Sequence, residues 1–248
     1  MIKKIEGIII STVDYKESSK IINILTNTEG LIGVLAKGSK SPKSKIAATS
    51  NILTYGVFYL NYHGGSIPSL LEVDIKDNFK FIRKDIVKTN YSIFLLELIS
   101  QAYRHDKSEK IYILLIEGLK KINEGYDSQI ITNIIELKLL EFLGIKPEVD
   151  CCVCCGKKKD IITISSYKGG YLCKECVASE PIYNLKTVNL IRMFYYVDLS
   201  KITKIDINDT IKKEISSFVD DYYERYSGLY LKSKLFLEKL AREEYKFK

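Results

Sequence analysis

A chain of 248 residues, 46% of them hydrophobic and 28% charged, has the apolar material for one large core or two smaller ones and is not the composition of a disordered protein. The formal net charge of +7 points weakly to an anionic partner, since many proteins carry such an excess. No apolar run approaches the roughly 20 residues that span a bilayer.

The start, MIKKIEGIIISTVD, places two lysines before isoleucines, but Glu6 and Gly7 interrupt the run and no small-residue cleavage site follows. A β-strand is the better reading, and a chain without an export signal is expected in a reducing cytoplasm, where structural disulfides are rare. Five short strands are predicted: Gly7–Thr12, Lys20–Thr26, Leu31–Lys37, Thr54–Tyr62 and Ser69–Ile75. The turn sequences TNTEG, KGSKSPKS and NYHGGS separate them. With no long helix among them, residues 1–79 are expected to close into a five-stranded OB-fold barrel.

The stretch AKGSKSPKSKIAATS is the strongest binding signal. Lys37, Lys40, Lys43 and Lys45 are joined by Gly, Ser and Pro, and no Asp or Glu occurs between Glu29 and Glu72. Such a loop is expected to stay mobile and solvated, with lysines suited to phosphates rather than bases. A solvated loop without a ligand is the competing reading. Tyr15, Tyr55, Tyr59 and Tyr62 offer stacking surfaces, although tyrosines in barrel strands more often pack against neighbours.

From about residue 80 the apolar period becomes helical. Residues 81–106 carry Phe81, Ile82, Ile86, Ile93, Leu96 and Ile99 at helical spacing, and IYILLIEGLKKINEG gives a second helix. DSQIITNIIELKLLEFLG gives a third, with Asp127 or Ser128 to cap it and Gly144 to stop it. Past the cysteine segment, TVNLIRMFYYVDL, TIKKEISSFVDDYYERYSG and LKSKLFLEKLAREEY read as further helices. The expected architecture is α+β: the barrel, a helical domain over 80–147, a ribbon over 148–182 inserted in it, and its C-terminal part over 183–248.

All six cysteines fall within residues 150–176, DCCVCCGKKKDIITISSYKGGYLCKEC. Two Cys-x-x-Cys knuckles supply four soft ligands, which suit tetrahedral Zn²⁺. The second knuckle is Cys173/Cys176. The first has two registers, Cys151/Cys154 and Cys152/Cys155. Gly156 favours the latter, because a glycine after the second thiol permits the backbone that closes the knuckle. The spacing is then C-x2-C-x17-C-x2-C, with IITIS and GGYL as a hairpin between the knuckles. Four sulfurs close the coordination sphere, so Cys152, Cys155, Cys173 and Cys176 are expected to hold one structural ion. Redox chemistry is the alternative, but no βαβ pattern accompanies the motif.

Signals for catalysis are missing. His63 and His105 lie far apart, there is no HExxH, and GVLAKGSK fails as a phosphate loop because Ser39 precedes Lys40 after the glycine. Asp220/Asp221 and Glu243/Glu244 are sequence neighbours, which do not face one another on a helix. Three readings are weighed: a nucleic-acid-binding protein without enzyme activity, a zinc-ribbon nucleic-acid-processing enzyme, or a zinc-ribbon transcription factor.

Taken together, the motifs resemble the RecO family of bacterial recombination mediators over essentially the whole chain. The N-terminal segment carries Tyr15-x-Glu17-x-Ser19, Thr26, Gly30, Lys37-Gly38 and Lys43-Ser44-Lys45. AYRHDKSEKIYILL is similar to the family's Arg-His-Asp segment and the helix after it, and CVCCG with GGYLCKEC is similar to members that keep the metal site. The doubled CCVCC departs from that pattern. The resemblance implies a nucleoid-associated protein that binds single- and double-stranded DNA and anneals complementary strands. Such a protein works with RecR and the single-strand coat protein to load RecA, without a nucleotide cofactor. It implies DNA contacts at the loop lysines and a basic, apolar pocket for the coat protein's acidic tail, for which Arg83, Lys84, Lys88 and Arg104 are the candidates.

Overall fold

The computed structural model describes residues 1–203 and 205–237, which divide into two compact units: Met1–Gly125 with the segment from Leu231 onward, and Tyr126–Tyr230. The division falls within the helical segment expected over 80–147.

The first unit opens with a closed barrel of strand order β1-β2-β3-β5-β4. Its strands are β1 (Ile2–Tyr15), β2 (Ser19–Thr26), β3 (Leu31–Ala36), β4 (Tyr55–Asn61) and β5 (Ser69–Asp77). This is the OB-fold connectivity. β1 is twice the expected length because it serves two neighbours: Ile2–Ile8 pairs with β4 and Gly7–Tyr15 with β2. A bulge between Ile9 and Ser11 bends it between these roles. Closure is made by the parallel step Leu35↔Ser69, where the Leu35 N–H donates to the Pro68 carbonyl at 2.8 Å. Alternate inward residues fill the barrel, among them Ile5, Ile22, Ile24, Val34, Phe58 and Leu60.

A short helix, α1 (Lys45–Thr49), follows the basic loop where no helix was expected. Ser44 caps it by accepting the Ile46 N–H at 3.3 Å, and Ile46 packs against the barrel core.

The helix expected over 81–106 is two helices, α2 (Lys80–Arg83) and α3 (Ile86–His105). Asp85 Oδ1 accepts the N–H groups of Val87 and Lys88 at 2.9 and 3.1 Å, so it starts a helix rather than continuing one. The break turns Phe81 and Ile86 outward, 60% and 65% exposed, while Ile82, Leu96 and Ile99 are buried. α4 (Glu109–Asn123) completes the described helices of this unit apart from residues 232–237, which are helical. The C-terminal helix predicted over 231–245 otherwise lies outside the described residues.

The second unit surrounds the cysteine ribbon with α5 (Ser128–Phe142), α6 (Leu185–Tyr196) and α7 (Asp209–Tyr226). Asp127 caps α5 through Gln129 and Ile130, and Gly144 follows its end at φ +72°. The ribbon hairpin is β6 (Ile161–Ser165) and β7 (Gly170–Cys173). Its base is clamped by the Glu148↔Gly170 bridge, where a β-carbon on Gly170 would overlap the Glu148 backbone. Asp150 accepts from Arg192 at 2.8 Å and from Tyr196 at 2.6 Å, tying the ribbon to α6. At the hairpin tip, Ser166 and Arg225 both donate to Asp221. Asp221 is thus a structural carboxylate; Glu243 and Glu244 lie outside the described residues. Among the described residues no helix is long and apolar enough to cross a membrane.

Candidate nucleic-acid interface and metal centre

The basic loop is anchored rather than free. Gly38, at φ +68°, lets the chain turn back onto the β1–β2 turn. There the Lys40 N–H donates to the Ser18 carbonyl at 3.0 Å and the Gly38 N–H to Ser19 Oγ at 3.3 Å. The Ser41 N–H closes onto the Gly38 carbonyl and Ser44 onto Ser41, both at 3.0 Å. Ser39 is buried between the flanking lysines, its hydroxyl without a hydrogen-bond partner. The expected mobile loop is therefore corrected: backbone bonds fix where its lysines start.

The four lysines are not equivalent. Lys37, Lys43 and Lys45 are exposed and, among the described residues, have no carboxylate partner. Lys40 Nζ instead pairs with Asp14 at 2.8 Å. The absence of acidic residues between Glu29 and Glu72 hid this pairing, because the carboxylate comes from the end of β1.

Tyr15 and Lys16 extend the basic surface, with Lys16 Nζ 5.4 Å from the Tyr15 ring centroid. Of the four tyrosines offered for stacking, only Tyr15 stands here with no carboxylate on its hydroxyl. Tyr55 donates to Glu6 at 2.5 Å and stacks on Phe79, Tyr59 donates to Asp74 at 2.7 Å, and Tyr62 donates to Glu29 at 3.0 Å. Burial first, and then the Glu6 and Glu29 carboxylates, push Tyr55 and Tyr62 up to about 12, while the Asp74 hydrogen bond raises Tyr59.

Arg83, Lys84, Lys88 and Arg104 do not form one pocket. Arg104 is in the last turn of α3 and Lys88 in its first, about 24 Å apart at 1.5 Å per residue. Arg83 donates to the carbonyls of Asn78 at 2.8 Å and Ile52 at 2.9 Å, and burial holds its pKa below the ordinary value. It borders a cavity of about 340 Å³ lined by Thr12, Asn51, Ile52, Leu53, Thr89 and Ile93. His63 and His105 are both exposed.

In the second unit the sulfurs of Cys152, Cys155, Cys173 and Cys176 all lie within 4.8 Å of one another. Gly156 takes φ +72° and its N–H donates to the Cys152 carbonyl at 2.8 Å, closing the first knuckle. The Cys176 N–H closes the second onto the Cys173 carbonyl at 3.0 Å. Cys151 stands apart, with its N–H and its thiol both turned to the Glu148 carboxylate. Cys154 is exposed.

Burial works against a thiolate at Cys152, but backbone N–H groups of Cys173, Cys155 and Cys154 outweigh it and bring the thiol down to about 6. Cys176 goes the other way, pushed up mainly by thiol hydrogen bonds to Cys155 and Cys173. One thiolate is welcome in the cluster and further ones repel it, so a full set of four calls for a cation. The donor set and the closeness of the sulfurs fit a tetrahedral metal ion.

Two family models divide the chain: "Recombination protein O N terminal" matches residues 1–79 and "Recombination protein O C terminal" matches 83–235. The chain is 37% identical to "DNA repair protein RecO" of Bacillus pumilus and 36% identical to that of Bacillus subtilis. Each match covers 97% of this chain and 95% of the relative. It is 35% identical to the Shouchella clausii protein of the same name, over 98% of this chain and 96% of the relative. With the barrel, the helices and the cysteine ribbon in the matching order, the chain belongs to the RecO family of DNA repair proteins.

Proposed function

We propose that this protein is a non-enzymatic recombination mediator that binds single- and double-stranded DNA, anneals complementary strands, and acts with RecR to load RecA onto coated strands. The observation that carries the reading is that Lys37, Lys43 and Lys45 are exposed and, among the described residues, have no carboxylate partner, on an OB barrel whose exposed Tyr15 ends β1. Annealing asks for a surface that lowers phosphate repulsion and leaves base edges free. Lysines on the backbone do this without reading sequence. Such a protein works in the cytoplasm at the nucleoid.

The four-cysteine cluster holds one structural Zn²⁺. A four-thiolate sphere is closed to water, so the ion braces the ribbon between α5 and α6 and takes no part in a reaction. Lys157 is engaged by Glu175 at 2.6 Å, whereas Lys158 and Lys159 beside it have no carboxylate partner among the described residues and are available to DNA.

The coat protein's acidic tail is assigned to the Arg83 end of α2 and α3, with Lys84 and Lys88 beside it and the exposed Phe81 and Ile86 supplying apolar contact. Arg104, at the far end of α3, is left out.

The test is annealing of complementary oligonucleotides with no nucleotide present, with and without coat protein, alongside incubation with Mg²⁺. The expected result is annealing without cleavage. Cleavage that tracks the purified protein favours a nuclease, and strong discrimination between duplex sequences favours a transcription factor.

A further inference from the structure

The ion pair between Lys40 and Asp14 sits inside the surface just assigned to DNA, and its two ends are unequally covered. The Lys40 side chain is 28% exposed and that of Asp14 75%. The lysine's backbone is held over the β1–β2 turn by its bond to Ser18, so its ammonium reaches the carboxylate with its stem packed. A strand approaching this face therefore meets a carboxylate in front of the fourth cation. Glu17 lies on that turn, is also exposed, and has no ion-pair partner among the described residues.

We propose that Asp14 is an internal competitor for the phosphate backbone: it holds Lys40 out of the nucleic-acid contact and so limits the affinity of the barrel for single strands. The inference rests on the reading of the loop as a phosphate-binding surface. Three lysines grip the strand and the fourth is neutralised in place, which keeps binding weak enough for an annealed duplex to leave. A phosphate reaching Lys40 must displace a carboxylate already 2.8 Å from it, whereas at Lys37, Lys43 and Lys45 it displaces only water and counterions.

The experiment is fluorescence-anisotropy titration of the full chain with a labelled oligothymidylate across a salt series. The variants are D14N, E17Q, K40A, D14N/K40A and K37A/K43A/K45A. Asp14→Asn is expected to tighten binding about threefold to fivefold at low salt, the size of one unit charge at a few ångströms in water. It should also steepen the slope of log K against log salt by about 0.7, one more phosphate contact. Glu17→Gln is expected to tighten binding less and leave the slope unchanged, and Asp14→Asn in the K40A background should leave the slope of K40A unchanged. The proposal is overturned if D14N changes neither affinity nor slope, if E17Q matches it, or if D14N steepens the slope equally without Lys40. The triple-lysine variant separates the two claims. If it weakens binding while D14N does nothing, only the competitor role falls. If it binds like the wild type, the loop is not the site and both readings fall.

Discussion

Cys155 Sγ lies 3.7 Å from Cys173 Sγ, bringing the two knuckles of the ribbon to sulfur–sulfur contact. Four sulfurs each about 2.3 Å from a central zinc would stand roughly 3.8 Å apart, so these two already occupy an edge of the required tetrahedron. The two residues are 18 positions apart, and the β6–β7 hairpin between them sets the distance.

Cys173→Ser should therefore abolish stoichiometric zinc, read by elemental analysis, and unfold the ribbon. Metal binding contributes on the order of 10 kcal/mol to sites of this kind. Cys151→Ser should keep the metal and most of the thermal stability, because that thiol faces Glu148 and not the cluster. Equal losses from Cys151→Ser and Cys152→Ser would contradict the assignment.

Gly170→Ala should destabilise the second unit by about 1–3 kcal/mol, the usual cost of forcing a methyl group into filled space. The added carbon meets the Glu148 backbone, which cannot swing aside without opening the bridge beneath the ribbon. Denaturant unfolding of the zinc-loaded protein measures this; a midpoint equal to wild type would mean that the bridge gives way freely.

Acid sensitivity should be traceable in part to Glu6. Burial works against its charge, but hydrogen bonds from Lys76, Tyr55 and Tyr112 outweigh burial and hold the carboxyl below its ordinary 4.5. A carboxyl depressed in the folded state contributes stability above its unfolded pKa and loses it as pH falls through the folded one. As pH falls from neutral to below the ordinary 4.5 of a glutamate, wild type should therefore lose more stability than E6Q. Parallel losses would remove Glu6 as a contributor.

Asp85→Ala should cost about 0.5–2 kcal/mol by uncapping α3. Urea unfolding monitored by circular dichroism checks it, and Asp85→Asn, which keeps an acceptor, should recover most of the loss. A loss from Asp85→Asn as large as that from Asp85→Ala would show that the cap hydrogen bonds are not the cause.

What the sequence made readable was local. Five strands bounded by turn signals, the caps at Asp127 and Gly144, and the grouping of four cysteines around Gly156 each depend on residues within a few positions of one another. What it hid was tertiary. Asp85 looks like one more polar residue on a helix until its carboxylate is seen folded over the next turn. Phe81 and Ile86 fit a helical apolar period, but the break at Asp85 turns both outward. Lys40 reads like its three neighbours because its partner lies 26 positions earlier, at the end of β1. The four cations Arg83, Lys84, Lys88 and Arg104 share a stretch of sequence but not a surface, since a 20-residue helix separates its ends by almost 30 Å.

The most direct test of the central claim is the salt dependence of single-strand binding by wild type and by K37A/K43A/K45A. If those three ammonium groups each hold a phosphate, the variant's slope of log K against log salt should be shallower by about 2, with affinity lost uniformly across sequences. A slope and affinity equal to wild type would place the DNA contact elsewhere on the molecule.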